Sequence, residues 1–373
     1  KKVRTKRPPP RAARPSAPRA DESRRRVAAR ERTTIVGVGA SAGGLEAFSQ
    51  LLHALPPNPG LALVLVQHLA PQHESALPSL LAAKTKLPVV QAEQGMRVEP
   101  NHVYVIPPNV QMGIDGDVLR LLPRPHDRSQ YMPIDFFLRA LAESAEGRAI
   151  GVILSGTASD GAVGVREIKA VGGITLAQEP ETAKYDGMPR AAIATGMVDL
   201  VLPLERLAHE LAAIARHPYV QRARPAADET ALADDVALRD EQLQRVFALL
   251  RAASGVDFKH YKLPTIERRL QRRMVLHKLT RFDQYLTHLQ QNPGEVQALY
   301  QDLLIHVTRF FREPESFAVL AAEIYPQLIA AQRDDHPIRV WIAGCSTGEE
   351  AYSVAITLLE SLGDRAGSVP IQI

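Results

Sequence analysis

Ser41, His68 and Asp160 are the residues whose types and settings suit nucleophilic chemistry in this chain of 373 residues. Ser41 lies in the turn Gly39-Ala40-Ser41-Ala42-Gly43-Gly44, between the β-branched run TTIVGVG and a stretch with apolar residues at helical spacing. A nucleophilic serine works best on such a strand-to-helix turn. Small neighbours let the hydroxyl stand clear, and helix N-terminal amides face a developing oxyanion. The same turn also suits a bound phosphate, and serine often does no more than cap a helix. His68 ends the apolar run LALVLVQH, either as general base for Ser41 or as a polar strand terminator. Asp160 lies in LSGTASDGAVG, where a third apolar run enters a Gly-bearing loop. It can orient His68 and stabilise an imidazolium, or cap the next helix. Three weak signals at one sheet edge are stronger than any one of them. The order Ser, His, Asp differs from the Ser, Asp, His of α/β-hydrolases, with the same roles open to each group. His53, His73, His102 and His126 follow no buried strand so directly, and no HExxH or Cys/His ligand spacing supports a metal.

For these groups to meet, three strand ends must lie side by side. TTIVGVG, LALVLVQH, AIGVILSG and ITLAQ read as buried strands. AGGLEAFSQLLHAL, ESALPSLLAAKT, PIDFFLRALAESAEG, GAVGVREIKAVG and MPRAAIATG read as helices, and VDLVLP with ERLAHELAAIARH closes the pattern. PVVQAE, HVYVIPP and GDVLRLLP read as short strands of an edge or hairpin insertion. This alternation predicts an α/β domain over 33–217, a doubly wound, mostly parallel sheet whose ligands bind beyond the strands' carboxyl ends. Residues 218–235 are polar and Pro-bearing, as a linker is. Residues 236–335 predict an α-helical domain. Residues 336–373 hold a strand, a Gly-bearing turn and a helix, with PIQI opening a further strand, the start of a Rossmann-like unit.

Hydrophobic residues make up 45% and charged residues 23%, an ordinary globular composition. The net charge of +4 comes from the N-terminal segment, where residues 1–32 hold thirteen Lys or Arg against three Asp or Glu. That Pro-, Arg- and Ala-rich segment predicts a disordered basic tail; it reads as a solvated leader rather than a specific nucleic-acid or lipid site. One cysteine, Cys345, fits a reducing cytoplasm. No signal-peptide core and no run of about 18 apolar residues appears, so membrane insertion is not expected.

Residues 33–217 resemble the catalytic domain of the chemotaxis protein-glutamate methylesterases, the CheB family. The resemblance lies in IVGVGASAGGLEA, LVQHLAPQHES, VYVIPPN, GVILSGTASDGAVG and GITLAQEPETAKYDGMPRAAI. It implies a Ser41, His68, Asp160 triad, no cofactor, and a methylated chemoreceptor as substrate, with glutamine deamidation as a related activity. It does not bring the receiver domain that usually precedes this catalytic domain, so the usual phospho-switch is expected to be absent. Residues 236–373 are similar to the N-terminal part of the CheR chemotaxis methyltransferases, through VTRFFREPESF and RVWIAGCSTGEEAYSVAITLL. That similarity implies S-adenosylmethionine as cofactor, contacted by Thr308, Arg312 and Glu350.

Two departures stand out. His306 occupies a position where better-known members have Asn, and PIQI precedes the strand whose end would supply an acidic residue to the ribose. A single βα unit cannot bury both faces of its sheet, so methyltransferase activity is not expected of this stretch alone. The basic helix TIERRLQRRM is implied as a receptor-docking face, with a solvated face as the alternative. Two other functions stay open beside the esterase: an α/β domain holding a nucleotide or phosphate in the 39–44 turn, and a non-enzymatic signalling scaffold.

Overall fold

The computed structural model describes residues 33–68, 76–125, 131–221, 233–304, 310–332, 336–345 and 348–373. The basic tail, His73, His126, His306 and Thr308 lie outside the described residues. The first part of the chain runs β1 (Thr34–Ala40), α1 (Gly44–Ala54), β2 (Leu61–Gln67), α2 (Leu77–Ala82), β3 (Val89–Gln91), β4 (Val103–Val105), β5 (Val110–Asp115) and β6 (Val118–Pro123). It continues with α3 (Pro133–Ala145), β7 (Ile150–Ile153), α4 (Ala162–Ala170), β8 (Ile174–Gln178), α5 (Gly187–Ala194), β9 (Leu200–Leu202) and α6 (Leu204–Ala215).

Near-continuous Val, Ile and Leu runs suit strands covered on both faces, and here they are so used. β1, β2, β4, β7 and β8 form the middle of a seven-stranded parallel sheet in the order β3-β4-β2-β1-β7-β8-β9. Phe48 and Leu51 of α1, with Leu207 and Leu211 of α6, cover one face over Val36, Val38 and Leu63. Phe137, Leu138 and Leu141 of α3, with Val165 and Ile168 of α4, cover the other over Ile35, Val64 and Ile153. This is the doubly wound arrangement that the alternation predicts. The expected edge insertion divides in two: β3 and β4 join the sheet, while β5 and β6 pair antiparallel as a separate hairpin. β5 is a strand that the sequence reading does not contain. Its Val110, Met112 and Ile114 do alternate with Gln111, Gly113 and Asp115, but Gly and Asp also mark turns, and a Cβ on Gly113 would stand 3.4 Å from Phe136 of α3.

Beyond the sheet come α7 (Pro218–Gln221), α8 (Ala233–Ser254), α9 (Leu263–Leu276), α10 (Phe282–Gln291) and α11 (Pro293–Leu303). Their core is built on Val246, Phe247, Phe258, Ile266, Leu270, Tyr285 and Leu299. Last come α12 (Pro314–Val319), α13 (Tyr325–Ala331), β10 (Ile338–Arg339), α14 (Glu349–Leu362) and β11 (Ile371–Gln372), with β10 and β11 parallel. Trp341 is 91% exposed, as expected where so short a sheet leaves a face uncovered. No described helix is long and apolar enough to cross a membrane.

The basic helix α9 departs from expectation, because Arg269 and Arg272 are buried against the sheet domain. Arg269 donates to the carbonyls of Lys169 at 2.6 Å and Ala170 at 2.5 Å, both in the last turn of α4. Arg272 Nε donates to Gly173 O at 2.8 Å, and its other nitrogens pair with Asp199 and Asp302. A helix C-terminus leaves carbonyls without partners at the negative end of its dipole, so a guanidinium suits it twice over. From sequence alone, a charge run reads the same whether it faces water or another helix's end. Burial pulls Arg269 down to about 10. Burial also pushes the Asp199 carboxyl up, but the charges of Arg272 and Lys169 outweigh it and hold the group below its usual range.

Arg272→Met leaves Asp302 buried without this cation and Asp199 with Lys169 alone, 2.9 Å away. It is expected to lower the unfolding free energy by about 3 kcal/mol in urea denaturation of the full chain. A change within about 0.5 kcal/mol, typical of an exposed substitution, would contradict the buried role.

Candidate active site

β1 and β2 pair in register down to Ala40 and Gln67, so Ser41 and His68 leave the sheet from adjacent strand ends. β7 lies on the other side of β1, and the loop after it carries Ser155 to Asp160. The three expected residues therefore gather where the strand order reverses, at the carboxyl edge of the sheet.

The serine turn is held by its backbone. Ser41 N donates to Ser155 O at 3.0 Å, and Gln67 Nε2 donates to Ser41 O at 3.3 Å. Gly43 has φ 71°, and a Cβ there would stand 2.7 Å from Ser155 Oγ, so both conformation and space require glycine. Ser155 Oγ donates to Ala42 O at 2.9 Å and accepts from Tyr185 N at 3.0 Å, tying the turn to the Lys184–Tyr185 backbone. The Ser41 side chain is half-buried and makes no hydrogen bond among the described residues. The amides of Ala42, Gly43 and Thr157 likewise have no acceptor among the described residues.

His68 Nε2 lies 2.7 Å from Asp160 Oδ2, which leaves Nδ1 as the ring nitrogen available to a serine. Asp160 is 2% exposed and also accepts from Ile134 N at 3.1 Å and Asp135 N at 2.9 Å, in the first turn of α3. The alternatives of histidine partner and helix cap are thus both present, except that the capped helix is α3 rather than the following α4. Asp135 caps α4 in turn, its Oδ1 accepting from Gly161 N at 2.9 Å and Gly164 N at 2.7 Å. The two helices exchange aspartate caps. Burial pushes the Asp135 carboxyl up to about 6, and the negative charge of Asp160 adds to it against the pull of the Gly164 and Gly161 amides. Tyr131 meets the His68 ring edge-on, with centroids 6.0 Å apart, and its hydroxyl donates to Val110 O at 3.0 Å.

Neither Asp135 nor Ser155 carries a signal in the sequence. An acid in a first helical turn is commonplace, and Ser155 is one of several small residues in LSGTASDG.

In the later region, Arg312 is exposed, as is Glu350 in the first turn of α14. Phe311 N donates to Ser353 Oγ at 2.9 Å, which holds the Phe310–Arg312 stretch on that helix. Gly344 and Gly348 have φ of 73° and 107°, and a Cβ on Gly344 would meet nothing within 4 Å among the described residues. His277, His288 and Glu295 bring ligand atoms within 4.8 Å of one another. Arg273, paired with Glu295 and 3.2 Å from His277 Nε2, already supplies the positive charge there.

Residues 36–211 match the model of the CheB methylesterase family. Residues 241–304 match that of the all-alpha domain of CheR methyltransferase, and 306–373 that of its SAM-binding domain. An uncharacterized 104.1 kDa protein of Rhodobacter capsulatus is 40% identical over 306 residues, which cover 78% of this chain and 32% of that protein. Protein-glutamate methylesterase/protein-glutamine glutaminase 2 of Burkholderia lata is 37% identical over 183 residues, covering 49% of this chain and 54% of its own. The crystal structure of the Thermotoga maritima CheB methylesterase catalytic domain is 32% identical, with a TM-score of 0.45 over 48% of this chain and 97% of that one. The chain spans about a third to about half the length of these two curated relatives.

The raised carboxyl of Asp135 has a measurable consequence. Because the folded chain holds this proton more tightly than the unfolded one, the contribution is full below about 4 and is lost as pH rises through about 6. Asp135→Asn keeps an oxygen for the Gly161 and Gly164 amides but removes the proton. Its unfolding free energy, relative to the parent, is expected to rise by up to about 3 kcal/mol between those limits. A difference that stays flat across the same urea titrations would contradict the shift.

Proposed function

The chain belongs to the CheB methylesterase family over residues 36–211 and carries CheR methyltransferase segments after it, and on that premise we propose that it is a protein-glutamate methylesterase. Its substrate is a glutamate γ-methyl ester of a methylated chemoreceptor in the cytoplasm, and the working unit is 33–217. The observation that carries this reading is the 2.7 Å contact of His68 with buried Asp160, one strand end away from Ser41.

Ser41 Oγ attacks the ester carbonyl while His68 Nδ1 takes its proton, and Asp160, bonded to Nε2, stabilises the imidazolium. The carbonyl oxygen becomes an oxyanion, for which the amides of Ala42, Gly43 and Thr157 are available donors. Collapse breaks the carbon–methoxy bond, and methanol leaves with the proton from His68. A water molecule then gives a proton to His68 and attacks the acyl-enzyme, which releases the glutamate carboxylate and frees Ser41. Deamidation of a glutamine follows the same path with ammonia as the leaving group.

The phosphate-cradle reading is disfavoured by the same geometry. It gives no role to a histidine bonded to a buried carboxylate, and that carboxylate adds negative charge close to where an anion would sit. In the later region, S-adenosylmethionine supplies a methyl group when bound to domains of the matched kind. Here Arg312, Glu350 and the turn glycines Gly344 and Gly348 are the described residues that would face it.

Ser41→Ala is expected to reduce methanol release from methylated receptor by about 10⁴-fold or more, and to abolish labelling by a fluorophosphonate probe. Methanol release that survives the substitution would sink the esterase reading. A melting temperature raised by nucleotide, with no labelling of the parent chain, would favour the phosphate-binding alternative.

A further inference from the structure

Two cations at the rim of the serine site have no acidic partner among the described residues. Arg124, just after β6, lays its guanidinium over the Tyr131 ring with Cζ 3.8 Å from the centroid, and Tyr131 in turn meets His68 edge-on at 6.0 Å. The guanidinium therefore stands no farther than about 10 Å from the imidazole, about one Debye length at cellular ionic strength. The Tyr131 hydroxyl bonded to Val110 O fixes the ring on β5, so hairpin and ring form a rigid mount. A guanidinium stacked on a ring keeps its edge donors free for a planar acceptor such as a carboxylate.

Lys184 lies on the serine side. Its Cβ is 3.1 Å from where a Cβ on Gly43 would stand, and the bonds of Tyr185 to Ser155 hold the adjoining backbone. Lys184 is exposed, and neither it nor Arg124 has an acidic partner among the described residues. The acids next to Lys184 are engaged elsewhere, since Glu181 and Asp186 both pair with Arg190.

We propose that Arg124 is a specificity-determining residue that binds a carboxylate of the substrate peptide beside the scissile ester, with Lys184 as a second contact. The preferred substrate is then an acidic segment rather than an isolated ester. This rests on the esterase reading of Ser41. The methyl ester itself is uncharged and gives two cations nothing to hold, whereas a flanking carboxylate gives them a partner. Such a contact, made equally in ground and transition state, acts through KM more than kcat.

Two peptides of one length, each with a single glutamate γ-methyl ester flanked by Glu or by Gln, test this on the full chain. Arg124→Met keeps an apolar stem on Tyr131 and removes the charge. The parent chain is expected to favour the Glu-flanked peptide about tenfold in kcat/KM, a preference carried by KM and weakened by added salt. In Arg124→Met the ratio between the two peptides is expected to fall toward one. A parent chain without preference, or a ratio that survives the substitution, overturns the proposal. Fluorescence anisotropy of the Glu-flanked peptide on Ser41→Ala, with and without Arg124→Met, reads the subsite without turnover. If neither peptide yields methanol but Arg124→Met weakens this binding about tenfold, the esterase reading fails and the anion subsite stands. If binding is unchanged, the subsite fails whatever the turnover shows.

Discussion

A carboxylate buried as deeply as Asp160 must find donors, and it finds three, of which only one, His68, belongs to the proposed chemistry. Two backbone amides at the start of α3 and the ring of His68 converge on it, while Asp135 of α3 returns the favour to the start of α4. The exchange fixes the loop after β7 against α3, and with it the direction in which Asp160 faces the end of β2. The serine turn is fixed through Ser155, at the start of the same loop, and through the sheet register. The pre-organisation of the site thus comes from helix termini and strand ends, which must satisfy their polar groups in any case.

This division explains what the sequence made legible. Apolar runs separated by helical spacing place Ser41, His68 and Asp160 at one edge, because the alternation that buries a parallel sheet also determines where its strands stop. The supporting shell is illegible for a related reason. Asp135 and Ser155 act on partners 26 to 113 positions away, such as Gly161 and Ala42, and no local pattern encodes a pairing of that range. β5 escaped because Asn109, Gly113, Asp115 and Gly116, in and around its alternation, are also the residues of turns. The fate of α9 escaped because arginines beside a helix C-terminus look like arginines in water.

The later part of the chain follows the same logic with a different outcome. Its helices form a core of their own around Phe258 and Tyr285, whereas β10 and β11 form only a two-stranded sheet and leave Trp341 in the open. The stretch held by Ser353 packs on the helix that follows the Gly344 turn. Covering both faces of a sheet of this kind depends on further strands.

The arginines of α9 carry a consequence for modularity. Family boundaries divide this chain after residue 211 and again near 241, as if the pieces could be exchanged. The contacts are drawn otherwise. The carbonyls of Lys169, Ala170 and Gly173 and the carboxylate of Asp199 have partners that arrive from beyond residue 260. A segment excised at the family boundary would leave these groups without those partners, two of them at the end of the very helix whose opposite end adjoins Asp160. Recombination that swaps the helical segment for a relative's must therefore preserve two guanidinium positions, a constraint on gene fusion that the Ser41 site does not impose.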